Sequence, residues 1–253
     1  MNEPSVPLSP EALRTYERLA LWTEIWGPGG LELAASLAHA MQLPPGAKVL
    51  DAGGGSGEIS CFLALQYGWQ VTMLDADQAA VQQARRKVRA RGLTPHIEVL
   101  QGDLSAPDFP AGAFAGIFCQ GALEMLGERR AATVHALKRL LVPGGVLGIA
   151  EPMLRAALSQ QDRRRLHGND FAAAFWTLER YRALCQEAGF SVEVRELHPQ
   201  SLRLWNEFIA PWFDSSGELK RPEVREVAEA WRRDGGQYIA LGILMARKQV
   251  EAV

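Results

Sequence analysis

The segment Asp51-Ala52-Gly53-Gly54-Gly55-Ser56-Gly57 constrains this chain more than any other stretch. An apolar run, AKVLDAG over 47–53, leads into it, and a second, EISCFLALQY, follows it. The first has the length of a buried strand and the second that of a helix, so the glycines occupy a strand-to-helix turn. Glycine there lets a ligand approach the backbone with no β-carbon in the way. The turn predicts an α/β chain with a ligand site at the end of its first strand.

The rest of the chain repeats the alternation. QVTMLD (70–75), IEVLQ (97–101), FAGIFC (114–119), GVLGIAE (145–151), SVEVREL (191–197) and QYIALGILMAR (237–247) read as six further strands. Asp77 caps a helix with Val81, Ala84 and Val88 on one face. Val134, Leu137 and Leu141 line a second, ended by Pro143-Gly144-Gly145. Leu178, Tyr181, Leu184 and Ala188 line a third, ended by Gly189. Near the start, Ser9 caps a helix with Pro10 in its first turn; Gly27-Pro28-Gly29-Gly30 breaks it before LELAASLAHAM forms another. The pattern predicts a Rossmann-like, doubly wound, seven-stranded α/β sheet, mostly parallel with one antiparallel edge strand. The last two strands are expected to pair antiparallel at that edge. One domain is expected over 1–253: a helical preamble (1–45), a core (46–197 and 237–248) and an insertion (198–236). With 253 residues, 47% of them apolar, one core of this size is sustainable.

Which ligand suits the turn? A nicotinamide site has glycine at the first, third and sixth positions, and the sixth counted from Gly53 is Glu58. A phosphate loop has Gly-Lys-Ser/Thr, which does not occur here. Asp51, at the strand end, repels a pyrophosphate and attracts an ammonium or sulfonium group. S-adenosylmethionine carries both cations and no phosphate. Asp75, ending the second strand, is placed for ribose hydroxyls. Asp103, within Gln101-Gly102-Asp103-Leu104, is placed for an adenine amino group, and the Leu104 amide for a ring nitrogen. Helix capping is the alternative role for Asp75 and Asp103.

These residues resemble the class I S-adenosylmethionine-dependent methyltransferases. AKVLDAGGGSGE is similar to the family's first motif, VTMLDAD to its acidic second-strand end and QGDL to its adenine motif. FAGIFCQGALEML resembles the fourth-strand segment and LLVPGGVLGIAEP the fifth. The resemblance implies S-adenosylmethionine as cofactor, S-adenosylhomocysteine as product and a small-molecule acceptor. It puts Asp51, Ala52, Gly53, Gly55, Gly57, Asp75, Ala76, Gly102, Asp103, Leu104 and Gln120 against the cofactor. Rival readings are a silent cofactor-binding partner subunit and use of the same cofactor for another reaction.

In-line methyl transfer needs positioning and exclusion of water more than a general base. The weak candidates for a catalytic role are His167 and Glu124. The acceptor pocket is expected above the strand ends, with Tyr16, Trp26, Gln120, Glu124, Met125, Trp205 and Trp212. The preamble and the insertion, the latter with Trp205, Phe208, Trp212, Phe213 and Trp231, form either a glycine-hinged lid or a static helical cap. Cys119-Gln120-Gly121 replaces the Asn/Asp-Pro-Pro-aromatic motif of nucleobase amino methyltransferases. Gln120 is a poor metal ligand, so no metal is expected. Cys119 reads as a buried cysteine rather than a nucleophile, and Cys61 and Cys185 as core residues.

With 27 basic and 29 acidic residues the chain lacks the basic surplus of a nucleic-acid enzyme. MNEPSVPLSPEA has no signal-peptide pattern, and no apolar run is long enough to span a bilayer, so a cytoplasmic location away from membranes is expected. The residues single out neither an acceptor nor an oligomeric state.

Overall fold

The computed structural model describes residues 29–165, 175–210, 213–220 and 225–250. Seven strands follow in chain order: β1 (Lys48–Ala52), β2 (Gln70–Asp75), β3 (Ile97–Gln101), β4 (Phe114–Gln120), β5 (Leu141–Leu154), β6 (Phe190–Leu197) and β7 (Ile239–Lys248). They form one sheet in the order β3-β2-β1-β4-β5-β7-β6. Strands β1 to β5 run parallel, and β7 runs antiparallel to both β5 and β6. The antiparallel pair thus sits at the expected edge, with the reversed strand one place in and β6 outermost. Burial alternates along β6, as suits an outer strand, whereas β5 and β7 are buried almost throughout.

The helices are α1 (Gly30–Met41), α2 (Glu58–Tyr67), α3 (Gln78–Ala90), α4 (Arg130–Leu140), α5 (Gln160–Arg165), α6 (Leu178–Glu187), α7 (Ser201–Ile209) and α8 (Arg225–Asp234). A 3-10 segment, Leu123–Arg129, precedes α4. Alternate residues of a strand point to opposite faces. Val49 of β1 accordingly joins one apolar cluster with Leu37, Phe62 and Val81, while Leu50 joins another with Val134, Leu137 and Tyr181. A core on each face is what a doubly wound sheet requires.

Two boundaries differ from expectation. Leu141 is not on a helix: α4 stops at Leu140, and Leu141 is extended and pairs with Phe114. Pro143 accounts for this, since it supplies no N–H and disfavours helical geometry just before it. β5 also runs past 151 to Leu154, through Pro152, which lies opposite Leu241 in the antiparallel register.

The insertion is pinned where it meets the sheet. The His198 amide donates to Leu241 O at 2.7 Å, and the Leu241 amide donates to Ser201 Oγ at 2.5 Å. At the far end the buried Asp234 carboxylate accepts from the amides of Gly236, Tyr238 and Ile239. The Gly235-Gly236 joint is therefore tied down, and Trp205 of α7 is buried in the same core as α1. These contacts hold both ends of the insertion against the sheet. Among the described residues no helix is long and apolar enough to cross a membrane.

Candidate functional site

β1 delivers the chain into the glycine loop at the carboxyl edge of the sheet. Gly53, Gly55 and Gly57 all hold left-handed conformations, with φ of 78°, 55° and 79°. Two of them are also sterically fixed. A β-carbon on Gly53 would lie 2.4 Å from that of Ala122, and one on Gly57 would lie 2.7 Å from that of Ala84. The Gly53 and Gly54 amides donate to Leu74 O at 2.8 and 3.3 Å, joining the loop to β2.

The loop and the end of β2 share a second connection. Asp75 Oδ2 accepts from the Gly55 amide at 2.8 Å, and Oδ1 accepts from the Asp77 amide at 2.9 Å. Asp77 is the N-cap of α3, accepting from the Ala79 amide. At the start of α2, Glu58 is buried and meets Arg91 through two bonds of 2.8 and 3.0 Å and Lys87 at 2.9 Å. Burial alone would raise its pKa, but the hydrogen bonds and charges of Arg91 and Lys87 outweigh that and hold it below the usual carboxylate range. This buried ion cluster fixes the start of α2 against α3 and so holds the end of the glycine loop that leads into it.

A cleft of about 520 Å³ opens over the ends of β1 to β4. Of the residues expected at the cofactor, Gly53, Gly55, Asp75, Ala76, Gly102, Asp103, Leu104 and Gln120 line it, as do the acceptor candidates Glu124 and Met125. Asp51, Ala52 and Gly57 are not among its walls. The Asp51 side chain lies behind the loop, accepting from Ser60 Oγ. Burial pushes its carboxyl up to about 7 against the Ser60 hydrogen bond, and the charge of Asp75 adds to the rise.

Asp103 is exposed on the far wall. Its Oδ1 accepts from the Ser105 amide and hydroxyl at 2.8 Å each, and Oδ2 pairs with Arg129 at 3.1 Å. These contacts, those of Ser105 first, lower its pKa. Gln120 is buried at the end of β4 and donates to Gly30 O at 3.0 Å, tying α1 to the sheet beside the cleft. Trp205 does not reach the cleft. Tyr16, Trp26, His167 and Trp212 lie outside the described residues.

The sequence reasoning missed Arg129, Ile59, Ala122 and Leu126, which also line the cleft. Gly127 breaks the 3-10 segment with φ 55° and ψ −124°, so no regular spacing announces which of its side chains turn inward. Cys119 is fully buried, and burial, then the charges of Glu151, Glu124 and Asp51, push its thiol well above its ordinary pKa. It is therefore a protonated core thiol. Among the described residues no three His, Cys, Asp or Glu side chains gather as metal ligands.

Residues 49–145 match the family described as "Methyltransferase domain". The chain is similar to sterol 24-C-methyltransferase of Gibberella zeae, with 28% identity over 70% of this chain and 47% of that protein. It thus spans about half the length of that curated relative. Among solved structures, the cyclase SpnF superposes with a TM-score of 0.74 at 20% identity, covering 97% of this chain and 99% of that one. A methyltransferase of Geobacter sulfurreducens, solved with S-adenosyl-L-homocysteine, has a TM-score of 0.67 at 23% identity over 98% and 100% of the two chains. At those identities the likeness is one of fold. With five motif segments in order, the seven-stranded sheet and the domain matched over residues 49–145, the chain carries a methyltransferase domain with the class I S-adenosylmethionine-dependent fold.

Proposed function

We propose that the cleft binds S-adenosylmethionine and that the protein methylates a small-molecule acceptor. One observation carries this reading: the left-handed glycine loop and the Asp75 carboxylate are built as a unit, joined by the Gly55 amide, on a cleft wall. A β-carbon at Gly53 would close the space beside Ala122, so the cradle depends on glycine. The cleft volume of about 520 Å³ falls within the usual range for small-molecule sites. Asp75 would hold the ribose hydroxyls, and the Gly102–Leu104 edge would hold the adenine. The Gly53–Gly55 backbone and Gln120 would flank the rest. Bound there, the cofactor would supply an electrophilic methyl group on a sulfonium.

The chain's own contribution is to orient two partners in line and keep water away. The apolar side chains of Ile59, Leu104, Ala122 and Leu126 around the cleft suit that task. The near balance of charge and the sterol substrate of one relative support a small acceptor over a nucleic acid.

A second reading keeps the cofactor and changes the reaction, and the fold likeness to a cyclase motivates it. One experiment separates the two. Calorimetry with S-adenosylhomocysteine should give one site per chain, and turnover with candidate acceptors should release S-adenosylhomocysteine in step with methylated product. Binding without release across broad acceptor panels would favour the second reading. Preference for NAD would refute both.

A further inference from the structure

Behind the β4 side of the cleft lies a buried polar group that the cofactor reading leaves unused. Glu151 of β5 has no exposed surface. It accepts from the Tyr181 hydroxyl of α6 and, at 3.3 Å, from the Glu124 amide. The carboxyl groups of Glu124 and Glu151 lie within hydrogen-bond reach of each other. Glu124 also lines the cleft, and its Oε2 is buried with no donor bonded to it among the described residues. Arg130 supplies a neighbouring cation. Its Nε and Nη2 donate to the carbonyl oxygens of Leu123 and Glu124 at 2.9 Å each, and its guanidinium lies 4.3 Å from the Trp176 ring centre. The charges of Glu151, Glu124 and Asp51 all act on the buried Cys119 thiol of β4.

Two carboxylates in contact out of water cannot both stay charged, and one shared proton satisfies both. The deeper group keeps it. Burial, then the charge of Glu124, push Glu151 well above the ordinary carboxylate range, with Arg130 opposing. Glu151 is then a hydrogen-bond donor to Glu124, which accepts from it on the cleft wall. Charge balance in the cleft points the same way. Glu58 is paired with Arg91 and Lys87, and Asp103 with Arg129, while Asp75 and Glu124 add negative charge.

Position supplies the role. Glu124 follows β4 and Asp75 ends β2, with β1 between them. Two strand spacings separate those ends by about 10 Å. With the sugar on Asp75, Glu124 stands past the glycine loop, where an acceptor would enter.

Resting on the cofactor reading above, we propose that Glu124 receives the methyl acceptor by taking a hydrogen bond from an amine on it, and that Glu151 is the positioning residue that holds Glu124 by donating its own proton. The substrate class is then a small amine.

The test compares two ligands by calorimetry: S-adenosylhomocysteine, and sinefungin, in which a carbon bearing a primary amine replaces the sulfur. That amine probes the acceptor side. In E124Q, S-adenosylhomocysteine should bind as in the wild type, while the preference for sinefungin should fall about tenfold through loss of a charge-assisted bond. E151Q, whose amide still donates to Glu124, should keep the preference, and E151L should lose it. An unchanged preference in E124Q, or equal losses for both ligands, would overturn the proposal; so would identical behaviour of E151Q and E151L. A wild-type protein that binds neither ligand would instead remove the cofactor reading, and this proposal with it.

Discussion

Asp75 and Gly55 are joined across twenty residues by a single hydrogen bond of 2.8 Å, from the Gly55 amide to Asp75 Oδ2. The carboxylate on the cleft wall and the loop beneath it therefore move together.

Asp75→Ala removes this tether and, on the proposed function, the contact to the ribose as well. Calorimetry should show S-adenosylhomocysteine binding weakened by about 1.5–3 kcal/mol. Asp75→Asn keeps an acceptor for the Gly55 amide and should lose less. Wild-type affinity in both variants would remove Asp75 from the site.

Gly53→Ala should cost about 2–4 kcal/mol of stability, from left-handed strain and overpacking combined. The strain follows from φ of 78°, and the overpacking from the Ala122 β-carbon 2.4 Å away. Adding Ala122→Gly removes only the overpacking, so thermal denaturation should show partial recovery. Full recovery would mean the backbone conformation costs nothing.

Asp51 gives a pH signature. Its folded pKa is raised from 3.8 to about 7, so within that window the folded chain holds a proton that the unfolded chain has released. This group's contribution to stability is therefore greatest at low pH and declines as pH rises toward 7, by up to about 1.4 kcal/mol per unit. Urea denaturation of Asp51→Asn should lack that slope. The charge that appears above 7 should also strengthen binding of the cationic cofactor in the wild type only.

His198 gives the opposite slope. Its Nε2 lies 3.2 Å from Ser36 Oγ, and its Nδ1 accepts from the Gln200 amide at 3.2 Å. Burial lowers its pKa below 6.5; Glu32 and Glu196 oppose the shift and Arg203 assists it. Below pH 6.5 the unfolded chain gains a proton that the folded chain resists, so stability falls as pH drops through that value. His198→Asn should flatten this part of the curve. An unchanged slope would place the acid sensitivity elsewhere.

The ends of the insertion are held by Leu241 and Asp234, so its exposed turn at 214–220 should be cleaved by protease at the same rate with and without S-adenosylhomocysteine. Protection by ligand would instead favour the hinged lid.

The glycine loop, the strand ends carrying Asp75 and Asp103, and the sheet were legible because each leaves a local mark: alternation, a turn residue, an acid after an apolar run. Asp51 was legible as a residue but not in its surroundings, because nothing local announces that Ser60, on the next helix, will claim its carboxylate. Trp205 shows the same limit from the other side. An aromatic in a long connection can face a ligand or a core, and only the packing of α7 on α1 and β7 decides. Arg129 left no signal, since its direction depends on the kink at Gly127.

β7 lies between β5 and β6, although it is the last of the seven strands to be synthesised. Until residues 239–248 leave the ribosome, β5 shows an open hydrogen-bonding edge and β6 has no neighbour to pair with. The half bearing the glycine loop needs only earlier residues, whereas the half bearing Glu151 waits. Nascent chains halted before 239 should therefore hold a formed loop beside an adhesive strand edge, the part of the molecule a chaperone would need to cover.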